Sequence, residues 1–270
     1  MVKVTVNDDK RLSSYSSTLH GEEVMPPETG QRSLVLLLDG TGDTIDSDCS
    51  NVAELWTTLA YADDKSRVYY QAGIGTLKRR NVLLTAIANI TDEAVAWSLS
   101  HHVIDAYLWL VQHYQEGDKI CIFGFSRGAY TARALAGMLM KVGLLPPQHD
   151  AEVRAAYESY RATAKVQDWD RSANFQKTWG ARDVTVHFLG CWDTVSSVGA
   201  LVTHTLPFTA TNPIVRNFRH AVSLDERRAK FRTNLWNSGV INWGKENRPE
   251  TEEERRLKEA RTEFMARKKS

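Results

Sequence analysis

A serine between two glycines is the strongest chemical signal in the sequence. Gly124-Phe125-Ser126-Arg127-Gly128 matches the pattern G-x-S-x-G and lies between an apolar run and a segment with helical spacing. In that context the pattern predicts a sharp strand-to-helix turn that lifts the hydroxyl of Ser126 above a sheet, where it can attack an acyl carbon. Glycines at these two positions remove Cβ atoms that would collide in the turn. An incidental serine is the alternative, and the flanking elements favour the catalytic interpretation.

Acyl chemistry also needs donors for a developing oxyanion. The main-chain N–H of Arg127 is predicted to be one donor, because it begins a helix whose dipole favours negative charge. The loop Asp39-Gly40-Thr41-Gly42 follows an earlier strand and is the candidate for the second donor. An ordinary glycine turn capped by Asp39 explains the same residues equally well.

Asp193 is the candidate for the acid of a catalytic triad. It follows the apolar run at 184–189, so parallel strands would bring it to the same sheet edge as Ser126. There a carboxylate can orient an imidazole. The alternative role for Asp193 is a cap for a helix beginning at Thr194.

The imidazole base is harder to assign. The chain order of serine, acid and histidine leaves His204 and His220 after Asp193. We take His220 as the candidate base. The stretch 217–226 around it looks helical, and in such a setting a histidine is more often a hydrogen-bonded structural residue.

Alternating strands and helices are predicted to position these residues. Apolar runs predict strands at 34–38, 67–71, 120–123 and 184–189, and helical spacing predicts helices at 51–60, 101–115 and 128–142. The alternation predicts an α/β fold, a three-layer sandwich with a mostly parallel central sheet. We expect a mobile segment at 1–32, the α/β domain at 33–240, and a charged tail at 241–270 that is helical or disordered.

The composition excludes several classes of protein. Lys plus Arg (34) balances Asp plus Glu (33), so no global field favours nucleic acid or an anionic membrane. The three widely spaced cysteines predict reduced thiols in a cytoplasmic protein and do not have the paired spacing of a zinc site. The N-terminus does not resemble a secretory signal, and no apolar run is long enough to cross a bilayer. We predict neither a metal nor a cofactor, and nothing in the sequence indicates an oligomeric state.

Five segments together resemble the successive motifs of one family. They are LVLLLDGT at 34–41, YYQAGIGT at 69–76, FGFSRGAYTARALA at 123–136, HFLGCWDTVSSVG at 187–199 and HAVSLDERR at 220–228. The family is the uncharacterised α/β-hydrolase-like group that includes the catalytic domain of type VI secretion phospholipase effectors. The resemblance implies an α/β-hydrolase fold and ester hydrolysis, with lipid substrates in the effector branch. It aligns Ser126 with the nucleophile, Asp193 with the aspartate of the WDTV motif, and Asp39, Gly40 and Thr41 with the DGT loop.

The end of the chain departs from the family pattern. Family members continue to a further strand and a His-Ser-Asp-Val-Gly-Gly motif, which we take to carry the general base. This sequence has no such motif, and the pattern after Asn234 predicts a divergent or C-terminally incomplete domain. A serine without its base retains only residual catalysis, so a non-catalytic binding or scaffold protein is the main alternative function.

Three other interpretations carry less weight. A phosphatase of the haloacid dehalogenase type needs a nucleophilic aspartate two residues before Asp39, where this chain has Leu37. Asp39, Asp43, Asp46 and Asp48 resemble a divalent-cation cluster, but a polar surface loop explains them more simply. Membrane contact through 77–97, where Lys78 to Arg80 precede apolar residues, is equally compatible with a lid or a crossover helix.

Overall fold

A parallel sheet of five strands forms the centre of the fold. The computed structural model describes residues 32–40, 49–60, 67–73, 92–163, 165–195, 206–227, 233–236 and 252–268. The strands are β1 (Ser33–Leu38), β2 (Val68–Gln71), β3 (Lys119–Phe125), β4 (Val186–Trp192) and β5 (Val215–Ala221). Their order is β2-β1-β3-β4-β5, and every pairing between neighbours is parallel. The predicted α/β class with a parallel central sheet is confirmed.

Helices connect these strands. They are α1 (Asn51–Ala60), α2 (Asp92–His113), α3 (Arg127–Val142), α4 (Val153–Arg161), α5 (Val166–Trp179) and α6 (Glu252–Arg267). A short 3₁₀ turn at Pro147–Glu152 precedes α4. The sequence pattern correctly predicted α1 and α3, placed the start of α2 at residue 101 and did not predict α4 or α5. No helix in the described part of the chain is long and apolar enough to cross a membrane.

Both faces of the sheet are covered by helices. Leu34, Leu36 and Leu38 of β1 belong to one core cluster with α2 and α3. Leu37 is also completely buried but alternates to the other face, where α1 packs against the sheet. This arrangement is the predicted three-layer sandwich, and it explains why β1 is apolar at every position after Ser33.

Helix α3 is the most enclosed element, because every residue from Gly128 to Val142 is buried. Two cations on this helix, Arg133 and Lys141, are completely buried. The ammonium of Lys141 donates to the carbonyls of Ser159 and Tyr160, at 3.0 and 3.1 Å, and to that of Ala162. Lys141 therefore donates to carbonyls at the end of α4, which receive no hydrogen bond from an N–H of the helix itself.

The helix expected around His220 is wrong. The chain there forms β5, and its backbone pairs with β4 from Val215 to Ala221. Phe218 and His220 are partly buried, whereas Asn217 and Arg219 are exposed, which is the period-two alternation of an edge strand. Pairing with a neighbouring strand decided this segment, because its own pattern is too polar and too short to specify either structure.

The charged region after residue 241 includes helix α6. Most of its described side chains are exposed, and Glu252 pairs with Arg255 and Arg256 along the helix. Phe264 is buried and packs against Trp169 of α5, with ring centroids 5.5 Å apart. Phe264, together with the ion pairs Arg267–Asp170 and Lys268–Asp183, therefore joins a largely solvated helix to the domain.

Candidate functional site

Ser126 occupies a strained turn between β3 and α3. Its backbone angles are φ 54° and ψ −116°, a region that residues with a side chain rarely adopt. Such a conformation costs on the order of 1–3 kcal/mol and persists only where the surroundings impose it. The carbonyl of Trp192 accepts the main-chain N–H of Ser126 at 2.9 Å, which fixes the turn to β4.

Steric crowding explains why positions 124 and 128 of the motif are glycines. A Cβ atom on Gly128 would lie 2.2 Å from the carbonyl oxygen of Leu38 and 2.5 Å from that of Asp39. A Cβ atom on Gly124 would lie 2.4 Å from the carbonyl oxygen of Gly128. All of these contacts are with backbone atoms, which cannot move aside as the end of a side chain can. The start of α3 therefore packs directly on the chain leaving β1.

The side-chain hydroxyl of Ser126 has no hydrogen-bond partner among the described residues. Its main-chain carbonyl accepts from Tyr130 of α3 at 3.3 Å and from Val195 at 3.4 Å. The backbone of the turn is thus held on several sides, while the hydroxyl is left available for a substrate or a base.

Arg127 is the first residue of α3, next to Ser126. The first N–H groups of a helix have no carbonyl acceptor within the helix, so the N–H of Arg127 is suited to an oxyanion. Its guanidinium is partly buried, and this burial lowers its pKa below the ordinary value for arginine. The backbone position agrees with the predicted role of an oxyanion donor.

Asp39 lies beside the elbow but is occupied by neighbouring donors. Its Oδ1 accepts from the N–H of Gly40 at 2.8 Å and from the hydroxyl of Ser50 at 2.7 Å. Its Oδ2 accepts from the hydroxyl of Tyr70 at 2.8 Å. The N–H of Gly40 is therefore not directed at a substrate in this structure, and Thr41 lies outside the described residues. Asp39 thus links the end of β1 to Ser50, just before α1, and to Tyr70 of β2. These bonds fix the backbone at Leu38 and Asp39, against which Gly128 packs.

Asp193 follows β4 at the same sheet edge as Ser126. Phe125 and Trp192 are register partners, so Ser126 and Asp193 are the next residues on adjacent strands. The backbone of Asp193 has φ 40° and donates its N–H to the carbonyl of Ala221 at 2.9 Å. Its Oδ1 accepts from the N–H of Ser223. Parallel pairing thus brings the predicted nucleophile and acid to one edge, as the sequence pattern indicated.

His220 is near this edge, but both ring nitrogens face donors. The N–H of Thr194 donates to Nε2 at 3.1 Å, and Nη2 of Arg133 lies 3.4 Å from Nδ1. Burial and the positive charge of Arg133 lower the pKa of His220 to about 4, against a smaller opposing effect of Asp193. The structure therefore brings His220 to the acid but does not direct a free ring nitrogen at Ser126. His204, the other histidine after Asp193, lies outside the described residues.

Arg133 is the residue of this site that sequence reasoning missed. Its Nε and Nη1 have no hydrogen-bond partner, and its guanidinium carbon lies 5.3 Å from the ring centre of Phe218 and 5.5 Å from that of Trp236. These two rings are stacked, with centroids 4.2 Å apart. Its only sequence signal was its place in the segment 123–136. The sequence around Arg133 does not indicate that its guanidinium is buried without a carboxylate partner.

A metal centre is not formed by these side chains. Within the described ranges, no group of three or more His, Cys, Asp or Glu residues is placed to hold a metal ion. Of the four aspartates considered as cation ligands, Asp43, Asp46 and Asp48 lie outside those ranges.

Comparison with known proteins assigns the family. Residues 32–261 match the family described as type VI secretion system phospholipase effector Tle1-like, catalytic domain. The chain belongs to this family. One relative is an uncharacterized protein of Saccharomyces cerevisiae, 36% identical over 223 residues, which cover 74% of this chain and 32% of the yeast protein.

The chain is also similar to a solved structure. It is the Tle1 effector bound to the VgrG spike of the type VI secretion system, with 15% identity and a TM-score of 0.36. The match covers 83% of this chain and 53% of the Tle1 chain. This chain thus spans about a third of the yeast relative and about half of the Tle1 effector.

Proposed function

We propose that this Tle1-like domain hydrolyses carboxylic ester bonds of phospholipids, with Ser126 as the nucleophile. The observation that carries the proposal is the strained backbone of Ser126 at the junction of β3 and α3. Strain at a solvent-accessible serine between two sterically required glycines is typical of a nucleophile elbow. Membership of a phospholipase effector family supports the lipid substrate class.

The proposed reaction proceeds through an acyl-enzyme. The Oγ of Ser126 forms a bond to the ester carbonyl carbon, and its proton passes to an imidazole base. The main-chain N–H of Arg127 donates to the carbonyl oxygen, which becomes negatively charged in the tetrahedral intermediate. The base then protonates the departing alcohol, and water releases the fatty acid by the same steps in reverse order. Asp193 orients the base, and the backbone at Asp39 and Gly40 completes the wall of the site.

The base of this reaction must approach Ser126 Oγ to about 2.6–3.2 Å. His220 was the candidate from the sequence, but its ring nitrogens face Thr194 and Arg133. We therefore propose that the base lies outside the described residues, where His204 is the candidate.

The nucleophile can be tested with a fluorophosphonate probe and intact-protein mass measurement. We expect one covalent adduct on the wild-type chain, none on Ser126→Ala, and an unchanged adduct on Ser100→Ala, a control at a serine of α2 whose hydroxyl donates to the carbonyl of Trp97. Hydrolysis of phosphatidylcholine in mixed micelles, followed by fatty acid release, tests the substrate class. A folded wild-type protein that gives no adduct, or an adduct that persists in Ser126→Ala, contradicts the proposed nucleophile.

A second candidate function is a hydrolase-fold binding protein without efficient catalysis. It is favoured by the hydroxyl of Ser126, which has no imidazole partner among the described residues. This candidate predicts that the folded chain binds phospholipid micelles with equal affinity in wild type and Ser126→Ala, without release of fatty acid. Measurable turnover that depends on Ser126 would exclude it.

A further inference from the structure

The side chain of His220 connects the predicted acid to a buried cation. We propose that His220 is a positioning residue that holds the backbone turn of Asp193, with Arg133 behind it, and that it does not accept the proton of Ser126. The inference deepens the proposed function and rests on it, because the turn matters for catalysis only if Asp193 is the triad acid. It replaces the assignment of His220 as the base.

The turn at Asp193 needs external support. The left-handed backbone of Asp193, with φ 40°, is unfavourable for a residue with a side chain. The next residue, Thr194, is completely buried, so its N–H must find an acceptor inside the protein. That acceptor is Nε2 of His220 at 3.1 Å, a bond that reaches across from β5 to the end of β4. Without it the turn would contain a buried N–H with no partner.

In this geometry, the imidazole of His220 cannot both support the turn and accept the proton of Ser126. A neutral imidazole has one nitrogen that accepts and one that carries a proton. Because Nε2 accepts from Thr194 at 3.1 Å, the ring proton resides on Nδ1, and Nη2 of Arg133, 3.4 Å from Nδ1, makes a contact between two donors there and no hydrogen bond. The ring therefore has no lone pair left for Ser126. Protonation would break the bond to Thr194 and place a second cation beside Arg133.

Burial of the ring and the positive charge of Arg133 favour its neutral form, and the carboxylate of Asp193 opposes them with a smaller effect. Arg133 faces the ring from α3, Asp193 from the turn after β4, and the buried thiol of Cys191 is on the adjacent position of β4. Arg133 is itself fixed by the stacked rings of Phe218 and Trp236, so its charge cannot move out to water. A fixed cation behind the ring disfavours protonation, which a general base must undergo in every catalytic cycle.

Substitutions at position 220 distinguish the two roles by labelling rate. His220→Gln retains an acceptor near the position of Nε2 but cannot act as a base, and His220→Ala retains neither property. His187→Gln, the same change on the neighbouring strand β4, is the matched control. We measure the rate of Ser126 modification by the fluorophosphonate in all four proteins after their folding has been verified by circular dichroism.

Loss of the acceptor should slow labelling about 10- to 100-fold in His220→Ala, because a buried N–H is left without a partner. His220→Gln should restore most of that rate, and His187→Gln should match wild type. Equal losses of about a thousandfold or more in both His220 variants would identify a general base and overturn the proposal. A smaller loss that glutamine does not restore, or a wild-type rate in His220→Ala, would also overturn it.

A second measurement does not depend on catalysis. Ring-¹⁵N-labelled histidine NMR should find His220 neutral, unprotonated at Nε2 and untitrated between pH 5 and 8, and His220→Ala should shift the Thr194 amide resonance. A ring that is protonated on Nε2 or titrates at its ordinary value would overturn the proposal. If the wild-type chain is not labelled by the probe, the proposed function fails, and the NMR result still decides the role of His220 in the turn.

Discussion

The main-chain N–H of Ser126 donates to the carbonyl of Trp192 at 2.9 Å. Strand pairing between β3 and β4 thus continues one residue beyond the end of β3. In the same way, the N–H of Asp193 donates to the carbonyl of Ala221 at 2.9 Å, and this bond extends the pairing of β4 with β5 by one residue. The nucleophile turn and the acid turn are therefore consecutive positions of one sheet edge, and their separation is set by backbone bonds.

Gly128→Ala should damage both stability and labelling. The new Cβ would meet the carbonyl oxygens of Leu38 and Asp39 at 2.2 and 2.5 Å, so the start of α3 must move away from β1. Overpacking of this kind costs about 1–3 kcal/mol, and here it also displaces Ser126. Urea denaturation and the fluorophosphonate rate measure the two effects.

Gly180→Ala is the control for Gly128→Ala. A Cβ there meets nothing within 4 Å, although φ is 60°. We expect only the backbone cost of about 1 kcal/mol and a wild-type labelling rate. Equal effects of the two substitutions on labelling would contradict the steric account of the elbow.

The stability of the protein should fall in acid partly because of His220. Its pKa is lowered in the folded state to about 4 from the ordinary value of 6.5. Between these values the unfolded chain binds a proton that the folded chain does not, so the contribution is complete above pH 6.5 and is lost as the pH falls through about 4. Denaturation midpoints at several pH values should decline more steeply in wild type than in His220→Gln. Parallel declines would contradict the shifted pKa.

Arg133→Met should leave the free energy of unfolding equal to that of wild type or higher. The guanidinium is completely buried, and its Nε and Nη1 have no acceptor, whereas methionine fills a similar volume without desolvating a charge. The same change should raise the pKa of His220, because burial would remain but the neighbouring cation would be gone. Denaturation and histidine NMR measure the two results. A loss of more than about 2 kcal/mol would mean that the cation has a stabilising partner.

Lys141→Met should have the opposite effect on stability. The ammonium donates to the carbonyls of Ser159, Tyr160 and Ala162, and methionine cannot replace any of these bonds. We expect a loss of about 2–4 kcal/mol in denaturation experiments, since several buried acceptors are left unpaired. Lys177→Met, on an exposed position of α5, should stay within about 0.5 kcal/mol of wild type. A similar small effect at Lys141 would show that water satisfies the carbonyls.

Local pattern was sufficient for much of the fold. The carboxyl-terminal half of β1 is buried on both faces, β3 alternates between buried and partly buried residues, and both strands are rich in Leu, Ile, Val and Phe. The spacing in α3 and the glycines around Ser126 are equally local, because each reflects the backbone within a few residues. Strand β5 differs, since its edge position leaves it polar and its hydrogen bonds come from β4.

The sequence by itself determined the identity of the elbow, the α/β class and the likeness to a phospholipase family, because these depend on short-range sterics and on the order of motifs. Only the tertiary structure decided what His220 contacts. Its partners are Thr194, 26 positions away, and Arg133, 87 positions away. Neither contact leaves a periodic or compositional trace in the chain. The protonation of a ring depends on the charges and donors packed around it, and those are set by how strands and helices assemble.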